Sequence, residues 1–210
     1  MELKRLFETQ AKLDEHIMRE HPELQWQNNL DWKLLALQVE LGECANEWRG
    51  FKKWSKDKEK RTFVKCELCE GKGELFSFTH EKHIPCCDCE GTGKDYSENP
   101  LLEEYVDVIH FALSIGNDLK IIENTSLTKC FTQFYSTDSW DVTNYFNYAF
   151  RQITKFAETI DQCKPDKFLY SRALLTILQL GHKLGFAWED VESTYFEKNA
   201  KNHSRQENGY

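Results

Sequence analysis

The stretch "NPLLEEYVDVIHFALSIGNDL" carries apolar residues on almost every side of the helix that its spacing predicts. Asn99 is placed to cap this helix, and Pro100 suits its first position, where a missing N–H costs nothing. A helix that is apolar all round must be covered by other elements, so it belongs in the interior of a helical bundle. Its apolar residues are Leu101, Leu102, Tyr105, Val106, Val108, Ile109, Phe111, Ala112, Leu113 and Ile115.

Most of the remaining chain also has helical periodicity, and strand signals are weak throughout. Asp31 is placed to cap the second helix. We therefore predict an all-α bundle formed by residues 1–60 and 99–210, with a small inserted module at 61–98, where glycines and cysteines dominate. Besides the helix after Asn99, helices are expected over 3–20, from about 31 to the "RGFKKW" stretch, and over about 140–161, 166–185 and 188–203.

Two acidic residues, Glu104 and Asp107, interrupt the buried helix at spacing i, i+3. An ionised carboxylate in a core must be paired, protonated or bound to a metal. The second helix offers a matching pair, Glu40 and Glu43, beside its apolar stripe, although this pair alone is also typical of a solvated helix face. Four converging carboxylates suit hard divalent cations such as Mg²⁺ or Mn²⁺. Glu47, one turn further on, either supports this group or lies on the surface.

A second metal interpretation starts from Asp107 and His110, which form D-x-x-H. Such a spacing matches one half of the carboxylate–histidine sites in di-iron bundles. Those sites need a second repeat, and no other acidic residue on a buried helix has a histidine three positions later. We therefore favour magnesium and interpret His110 as a packing or supporting residue.

The segment 61–98 contains two copies of C-x-x-C-x-G-x-G, "CELCEGKG" and "CCDCEGTG". Two C-x-x-C pairs can bring four thiolates around one Zn²⁺, and a polar segment of this size needs a metal to fold. The repeat resembles the cysteine-rich module of DnaJ chaperones. Cys87 is expected to be a bystander, while His80 and His83 remain competing ligands. The four predicted zinc ligands are Cys66, Cys69, Cys86 and Cys89.

Charge and hydropathy narrow the possible partners. The formal net charge of −8 argues against non-specific binding to duplex nucleic acid, which needs a cationic surface. The cysteine-rich segment also has an excess of acidic residues, which favours a protein contact over a nucleic acid. No apolar run approaches the roughly 20 residues that cross a bilayer, and the N-terminal stretch lacks an apolar signal region. We expect a cytoplasmic protein with no membrane contact, whose cysteines are thiols or metal ligands.

Three stretches, "LQVELGECANEWRGFKKWS", "LLEEYVDVIHFALSIG" and "YFEKNAKNHSRQENGY", resemble the dimeric, all-α dUTP pyrophosphatases, a branch of the MazG-like nucleoside triphosphate pyrophosphohydrolases. The resemblance covers residues 3–55 and 99–210. It implies a homodimer that uses two or more Mg²⁺ to hydrolyse dUTP to dUMP and pyrophosphate. The 60 residues between Glu43 and Glu104 exceed the usual gap of that family, and the cysteine-rich insertion accounts for the excess.

The resemblance also implies roles for individual residues. Its magnesium ligands are Glu40, Glu43, Glu104 and Asp107. Its phosphate-binding tail contributes Lys198, Asn202 and Arg205. Gln10 and Asp14 are the candidates for holding uracil and Trp54 for stacking on it, although an amide is expected where Asp14 stands. From the chemistry of the site, Glu43 is the candidate that accepts the proton of the attacking water.

Two other functions remain open at this stage. One is a related pyrophosphohydrolase that acts on dCTP or a modified nucleotide, because base selectivity does not follow from the metal site. The other is a non-enzymatic interaction protein that uses the zinc module. The buried Glu104 and Asp107 argue against this second alternative, since a pure adaptor has no use for them.

Overall fold

The computed structural model describes residues 3–121, 140–162 and 164–209, and Tyr210 of the tail motif lies outside these ranges. The described part is mostly helical, which confirms the predicted all-α class. No helix in it is both long and apolar enough to cross a membrane. Besides a short 3-10 helix at Pro22–Trp26, the helices are α1 Leu3–Glu20, α2 Leu30–Trp48, α3 Pro100–Asp118, α4 Val142–Asp161, α5 Lys167–Leu184 and α6 Trp188–Glu207.

Helix α3 lies at the centre and contacts α1, α2, α5 and α6. It is buried on nearly every side, as its apolar sequence predicted. Lys33 at the start of α2 pairs with Asp118 at the end of α3, whereas Glu43 lies close to Glu104 near the other end. The two helices are therefore antiparallel, and the acidic residues of both meet at one end of the pair.

The helix ends show which capping predictions were correct. The Asn99 side chain accepts a hydrogen bond from the Leu102 N–H at 3.1 Å, and Pro100 starts α3, as expected. The prediction for Asp31 was wrong, because α2 already begins at Leu30 and the cap position belongs to Asn29. Asp31 lies in the first turn, where its carboxylate accepts from the backbone N–H of the next residue.

The cysteine-rich segment forms two short antiparallel strand pairs that sequence reasoning did not predict. They are β1 Val64–Lys65 with β4 Lys94–Asp95, and β2 Glu74–Ser77 with β3 Lys82–Pro85. Arg61 ties the entrance of the segment to the bundle: its N–H donates to the Glu47 carbonyl at 2.9 Å, and its carbonyl accepts from the Leu101 N–H at 2.9 Å. The segment has its own small core, made of cysteines and Leu75.

Candidate active site and cysteine cluster

Three carboxylates from two helices meet at the end of the α2–α3 pair. Carboxylate oxygens of Glu40, Glu43 and Glu104 lie within 4.8 Å of one another. Burial, reinforced by neighbouring carboxylates, raises the pKa of Glu40 and the pKa of Glu104 to about 7. The group therefore holds negative charge that is not neutralised within itself, and its oxygen donors fit hard divalent cations such as Mg²⁺.

Asp107 lies one turn further along α3 and is not part of this close group. Its carboxylate accepts a hydrogen bond from the ammonium of Lys198 on α6. Lys198 also contacts the Glu103 backbone carbonyl at 3.4 Å. Burial raises the pKa of Asp107, and the hydrogen bond and charge of Lys198 oppose that rise. The structure thus gathers three of the four predicted acidic residues closely and places the fourth beside a cation.

A cleft of about 830 Å³ opens next to the carboxylates, between α1, α2, α3 and α6. Arg205 and Asn202 of α6 reach it together, since the guanidinium donates to the Asn202 side-chain oxygen at 3.2 Å. Trp54 does not line the cleft: its side chain is 79% exposed and meets Phe51 edge-on. The predicted site residues that line the cleft are Gln10, Asp14, Glu40, Asp107, Asn202 and Arg205.

A chain of hydrogen bonds on the cleft wall determines which ring nitrogen of His110 carries the proton. The Gln10 amide nitrogen and the Ser114 hydroxyl both donate to one oxygen of Asp14, at 2.8 and 2.9 Å. The amide oxygen of Gln10 is then an acceptor, and it receives the Tyr195 hydroxyl at 2.9 Å. His110 Nδ1, 2.8 Å from the same oxygen, must therefore donate, which leaves Nε2 as the unprotonated nitrogen.

His110 is held neutral, because burial and the nearby charge of Lys198 lower its pKa to about 3. Its Nε2 is buried and has no hydrogen-bond partner among the described residues. His110 is not one of the metal-ligating residues grouped at the carboxylates, so the structure offers no support for the di-iron interpretation of D-x-x-H.

Sequence reasoning missed several residues of the cleft, notably Trp32, Phe111 and the ion pair between Lys33 and Asp118. Lys33 is buried, and its ammonium lies 2.7 Å from the Asp118 carboxylate at the end of the cleft away from the acidic group. One signal was available for Trp32. It stands eight residues before Glu40, a little over two helical turns, which places both on the same broad face of α2.

A family model described as dUTPase matches residues 2–85 and 91–210, nearly the whole chain. The chain belongs to this dUTPase family. It is accordingly a hydrolase of the dUTP diphosphatase type, and the matched ranges contain both acidic pairs and every residue of the cleft. No curated protein matches the chain.

The dUTPase family match omits residues 86–90, which include the second C-x-x-C pair. All four predicted cysteines are nevertheless buried together, with sulfur atoms within 4.8 Å of one another. The Cys66–Cys86 sulfur distance is 3.9 Å and the Cys69–Cys89 distance is 3.7 Å. A tetrahedral Zn²⁺ with Zn–S bonds of about 2.3 Å requires S···S separations of about 3.8 Å. The donor set of this dUTPase therefore fits one zinc ion.

Two glycines of the repeat donate backbone hydrogen bonds to cysteine sulfur atoms. The N–H of Gly73 donates to the Cys69 sulfur at 3.2 Å, and the N–H of Gly93 donates to the Cys89 sulfur at 3.1 Å. Both glycines have positive φ, and a Cβ on either would stand 2.4 Å from a backbone oxygen of the other repeat. Side chains larger than hydrogen are therefore excluded at both positions, which explains the second glycine of each repeat.

Neighbouring residues do not compete for the cluster within the part of the chain that the structure describes. His83 Nδ1 lies 3.2 Å from a Glu74 carboxylate oxygen on the adjacent strand. His80 is exposed and does not belong to the metal-ligating group. Cys87 is also exposed and lies outside that group, as its position in the motif predicted.

Proposed function

We propose that this protein hydrolyses dUTP to dUMP and pyrophosphate, with two or more Mg²⁺ held by Glu40, Glu43, Glu104 and Asp107. The observation that carries the proposal is the close group of three carboxylates at the mouth of the cleft, with two pKa values raised to about 7. Bare carboxylates would repel a triphosphate, so cations must bind between them. Membership of the dUTPase family indicates a nucleotide substrate, and the cleft has a volume of about 830 Å³ in which to hold it.

When bound, Mg²⁺ supplies charge neutralisation at the phosphates and a water of lowered pKa. Glu43 is the most exposed member of the carboxylate group, and we assign it the role of accepting the proton of the attacking water. Asn202 and Arg205 lie on the α6 side of the cleft, and we assign them to phosphate oxygens. Lys198, already paired with Asp107, adds positive charge at the same end.

The base end of the cleft is defined by Gln10 and Asp14. Gln10 uses one amide hydrogen on Asp14 and has a second to offer. The second Asp14 oxygen receives only a long contact of 3.5 Å from Asn117, so it can accept another hydrogen bond. A donor beside an acceptor complements the O4 and N3–H of uracil. It also complements the N3 and amino group of cytosine, which keeps dCTP as the second candidate substrate. Trp54 stays our candidate for stacking by resemblance alone.

The test is pyrophosphate release from dUTP, dCTP and dTTP at equal concentration, with and without Mg²⁺. We expect dUTP to be preferred over dTTP, because a pocket closed around C5 has no room for a methyl group. Equal turnover of all three nucleotides would favour a broad pyrophosphohydrolase. A preference for dCTP would select the second candidate, and turnover of none would favour the non-enzymatic interaction protein.

We further propose that the cysteine cluster holds one structural Zn²⁺. The segment has almost no other core, so metal binding and local folding are coupled there. Beyond stability, the hairpin β2–β3 offers a protein-contact surface. Phe76 and Phe78 are 48% and 87% exposed and pack edge-on against each other near its tip. The six cysteines of the described residues form no disulfide, which favours a reducing compartment, and we propose that the protein acts in the cytoplasm.

The proposed oligomer is a homodimer, following the family resemblance. The structure of one chain supports this with an exposed apolar strip on α2. Leu35 and Val39, one turn apart, are 64% and 48% exposed. Large apolar side chains clustered on a surface are typical of protein interfaces.

A further inference from the structure

We propose that Trp32 is an aromatic surface of the cleft on which the base of the nucleotide stacks, in addition to the candidate Trp54 that the resemblance implies. The proposal rests on the proposed function of the cleft as the nucleotide site and adds a residue to it. Trp32 lines the cleft, together with Gln10 and Asp14. Stacking on an indole is available to every base, so Trp32 would provide affinity while the Gln10–Asp14 pair provides selectivity.

The indole of Trp32 is held in place before any ligand arrives. Its Nε1–H donates to the side-chain oxygen of Asn29 at 2.9 Å. The side-chain nitrogen of Asn29 in turn donates to the backbone carbonyl of Leu24 at 2.9 Å. Because both hydrogen bonds lie within the protein, the ring loses little freedom on binding a ligand. A preorganised surface of this kind contributes more net affinity than a mobile side chain.

Position along the helices places Trp32 at the base end of the cleft. Trp32 precedes Glu40 by eight residues, about 12 Å along α2 at 1.5 Å per residue. On the antiparallel α3, Ser114 follows Asp107 by seven residues, about 10 Å, and donates to Asp14. The indole and the Gln10–Asp14 pair are therefore displaced from the acidic group in the same direction. In a nucleotide the deoxyribose separates the base from the phosphates. If metal ions hold the triphosphate at the acidic group, the base therefore lies further along the cleft, toward Trp32 and the Gln10–Asp14 pair.

The other aromatic residues of the cleft are less suited to this role. His110 already stacks on Tyr195, with ring centroids 4.2 Å apart. Phe111 lies only one turn beyond Asp107, at the level expected for the sugar. Within the described ranges Trp32 has no ring–ring contact, and the ammonium of Lys33 lies 5.8 Å from its ring centroid. Its surface toward the cleft is therefore available for a base.

The experiment compares two ligands in the presence of Mg²⁺ by calorimetry. One is a non-hydrolysable α,β-imido analogue of dUTP, and the other is 2-deoxyribose 5-triphosphate, which lacks a base. We expect Trp32→Ala to weaken the analogue by about 10- to 100-fold, the loss typical of one base–aromatic stack. Trp32→Phe should stay within a few-fold of wild type. Binding of the base-free triphosphate should be equal in all of these proteins.

Trp26→Ala is the matched control, because Trp26 lies nearby on the 3-10 helix, is 89% exposed and does not line the cleft. It should bind both ligands as wild type does. If Trp32→Ala weakened both ligands by the same factor, Trp32 would be a structural residue and the proposal would be wrong. Unchanged binding of the analogue would also overturn it. Wild-type protein that binds the analogue but releases no pyrophosphate from dUTP would refute only the proposed reaction.

Discussion

Glu43 has the most direct role in the proposed chemistry. Replacing it with glutamine removes its negative charge while keeping the shape of the side chain. Glu43→Gln keeps the size of the side chain but removes a metal ligand and the proton acceptor. We expect pyrophosphate release from dUTP to fall by on the order of 10²-fold or more, within the range that a general base contributes. The helical circular dichroism signal should be unchanged, because Glu43 is exposed and outside the core.

The control for this variant is Glu8→Gln, which removes an exposed carboxylate of α1 whose ion pair, among the residues that the structure describes, is with Lys4. Its turnover should equal that of wild type. If Glu43→Gln retained activity within a few-fold of wild type, the carboxylate group would not be the catalytic metal site.

The raised pKa values of Glu40 and Glu104 predict a pH-dependent response to magnesium. Both folded-state values are about 7, above the ordinary 4.5, so their stabilising contribution is complete below about 4.5 and is lost as pH rises through 7. Metal-free protein should be less stable at pH 8 than at pH 5.5 on this account. Mg²⁺ relieves the repulsion only when the carboxylates are ionised, so it should raise Tm more at pH 8.

Both side chains are partly exposed, so solvent screening reduces the size of this effect. We expect a difference of about 2–4 °C, corresponding to about 1 kcal/mol for a chain of this length. Differential scanning fluorimetry at the two pH values measures it. Glu104→Gln should raise the Tm of the metal-free protein at pH 8 and reduce the Mg²⁺ response. A magnesium shift of equal size at both pH values would contradict the assignment.

The close approach of Glu40, Glu43 and Glu104 could be predicted from sequence, because their spacing on two helices determines which side they share. Asp107 was predicted to join them but lies beside Lys198, a contact between distant parts of the chain that leaves no local pattern.

The cleft could be predicted only in part. The roles of Gln10 and Asp14 came from a resemblance, whereas the tautomer of His110 depends on how α1 packs against α3. Trp32 lies near Glu40 on α2, but its place in the cleft depends on how the helices pack. Hydrogen bonds between residues about 100 positions apart, such as Gln10 with His110, leave no local pattern.

At the level of secondary-structure elements, the cysteine-rich segment tests whether the proposed structural zinc site is separate from the proposed catalytic site. Cys69→Ser removes one sulfur from the cluster and should abolish tightly bound zinc, measured by elemental analysis. Amide exchange should become fast over residues 60–98 because that segment has little core of its own. Turnover of dUTP should survive in part, since the carboxylates lie on bundle helices.

Cys87→Ser provides the control at an adjacent thiol, which is exposed and outside the cluster. It should retain zinc, protection from exchange and activity. Wild-type protein purified without chelator that contains no zinc would refute the metal assignment. A Cys69→Ser protein that kept its zinc yet lost all activity would refute the separation of the two sites.

The helices of the bundle were easier to predict than the strands of the insertion. The apolar pattern of α3 and the Asn99–Pro100 start sufficed for that helix, because burial on all sides leaves a continuous signal. The strands β1 to β4 have two to four residues each, and cysteine positions rather than alternating hydrophobicity bring them together. At the start of α2, three polar residues within four positions, Asn28, Asn29 and Asp31, made the choice of cap ambiguous.

At the level of the whole molecule, the proposed homodimer makes a separate prediction. Light scattering after size exclusion should give twice the monomer mass at micromolar concentration. Replacing Leu35 and Val39 together with Lys places two charges in the exposed apolar strip of α2 and should shift the mass toward the monomer. The double variant Lys4→Glu and Glu8→Lys, which reverses an exposed pair on α1, should leave the mass unchanged. A wild-type monomer at all concentrations would refute the dimer.

We propose that this all-α bundle is a magnesium-dependent dUTP pyrophosphatase. The most direct test is the release of pyrophosphate from dUTP by purified protein, with Mg²⁺ present and after its removal by chelation. We expect stoichiometric dUMP and pyrophosphate with Mg²⁺, no turnover without it, and recovery of turnover when Mg²⁺ is added back. Turnover that persists in full without any divalent cation, or no release from dUTP in its presence, would contradict the account.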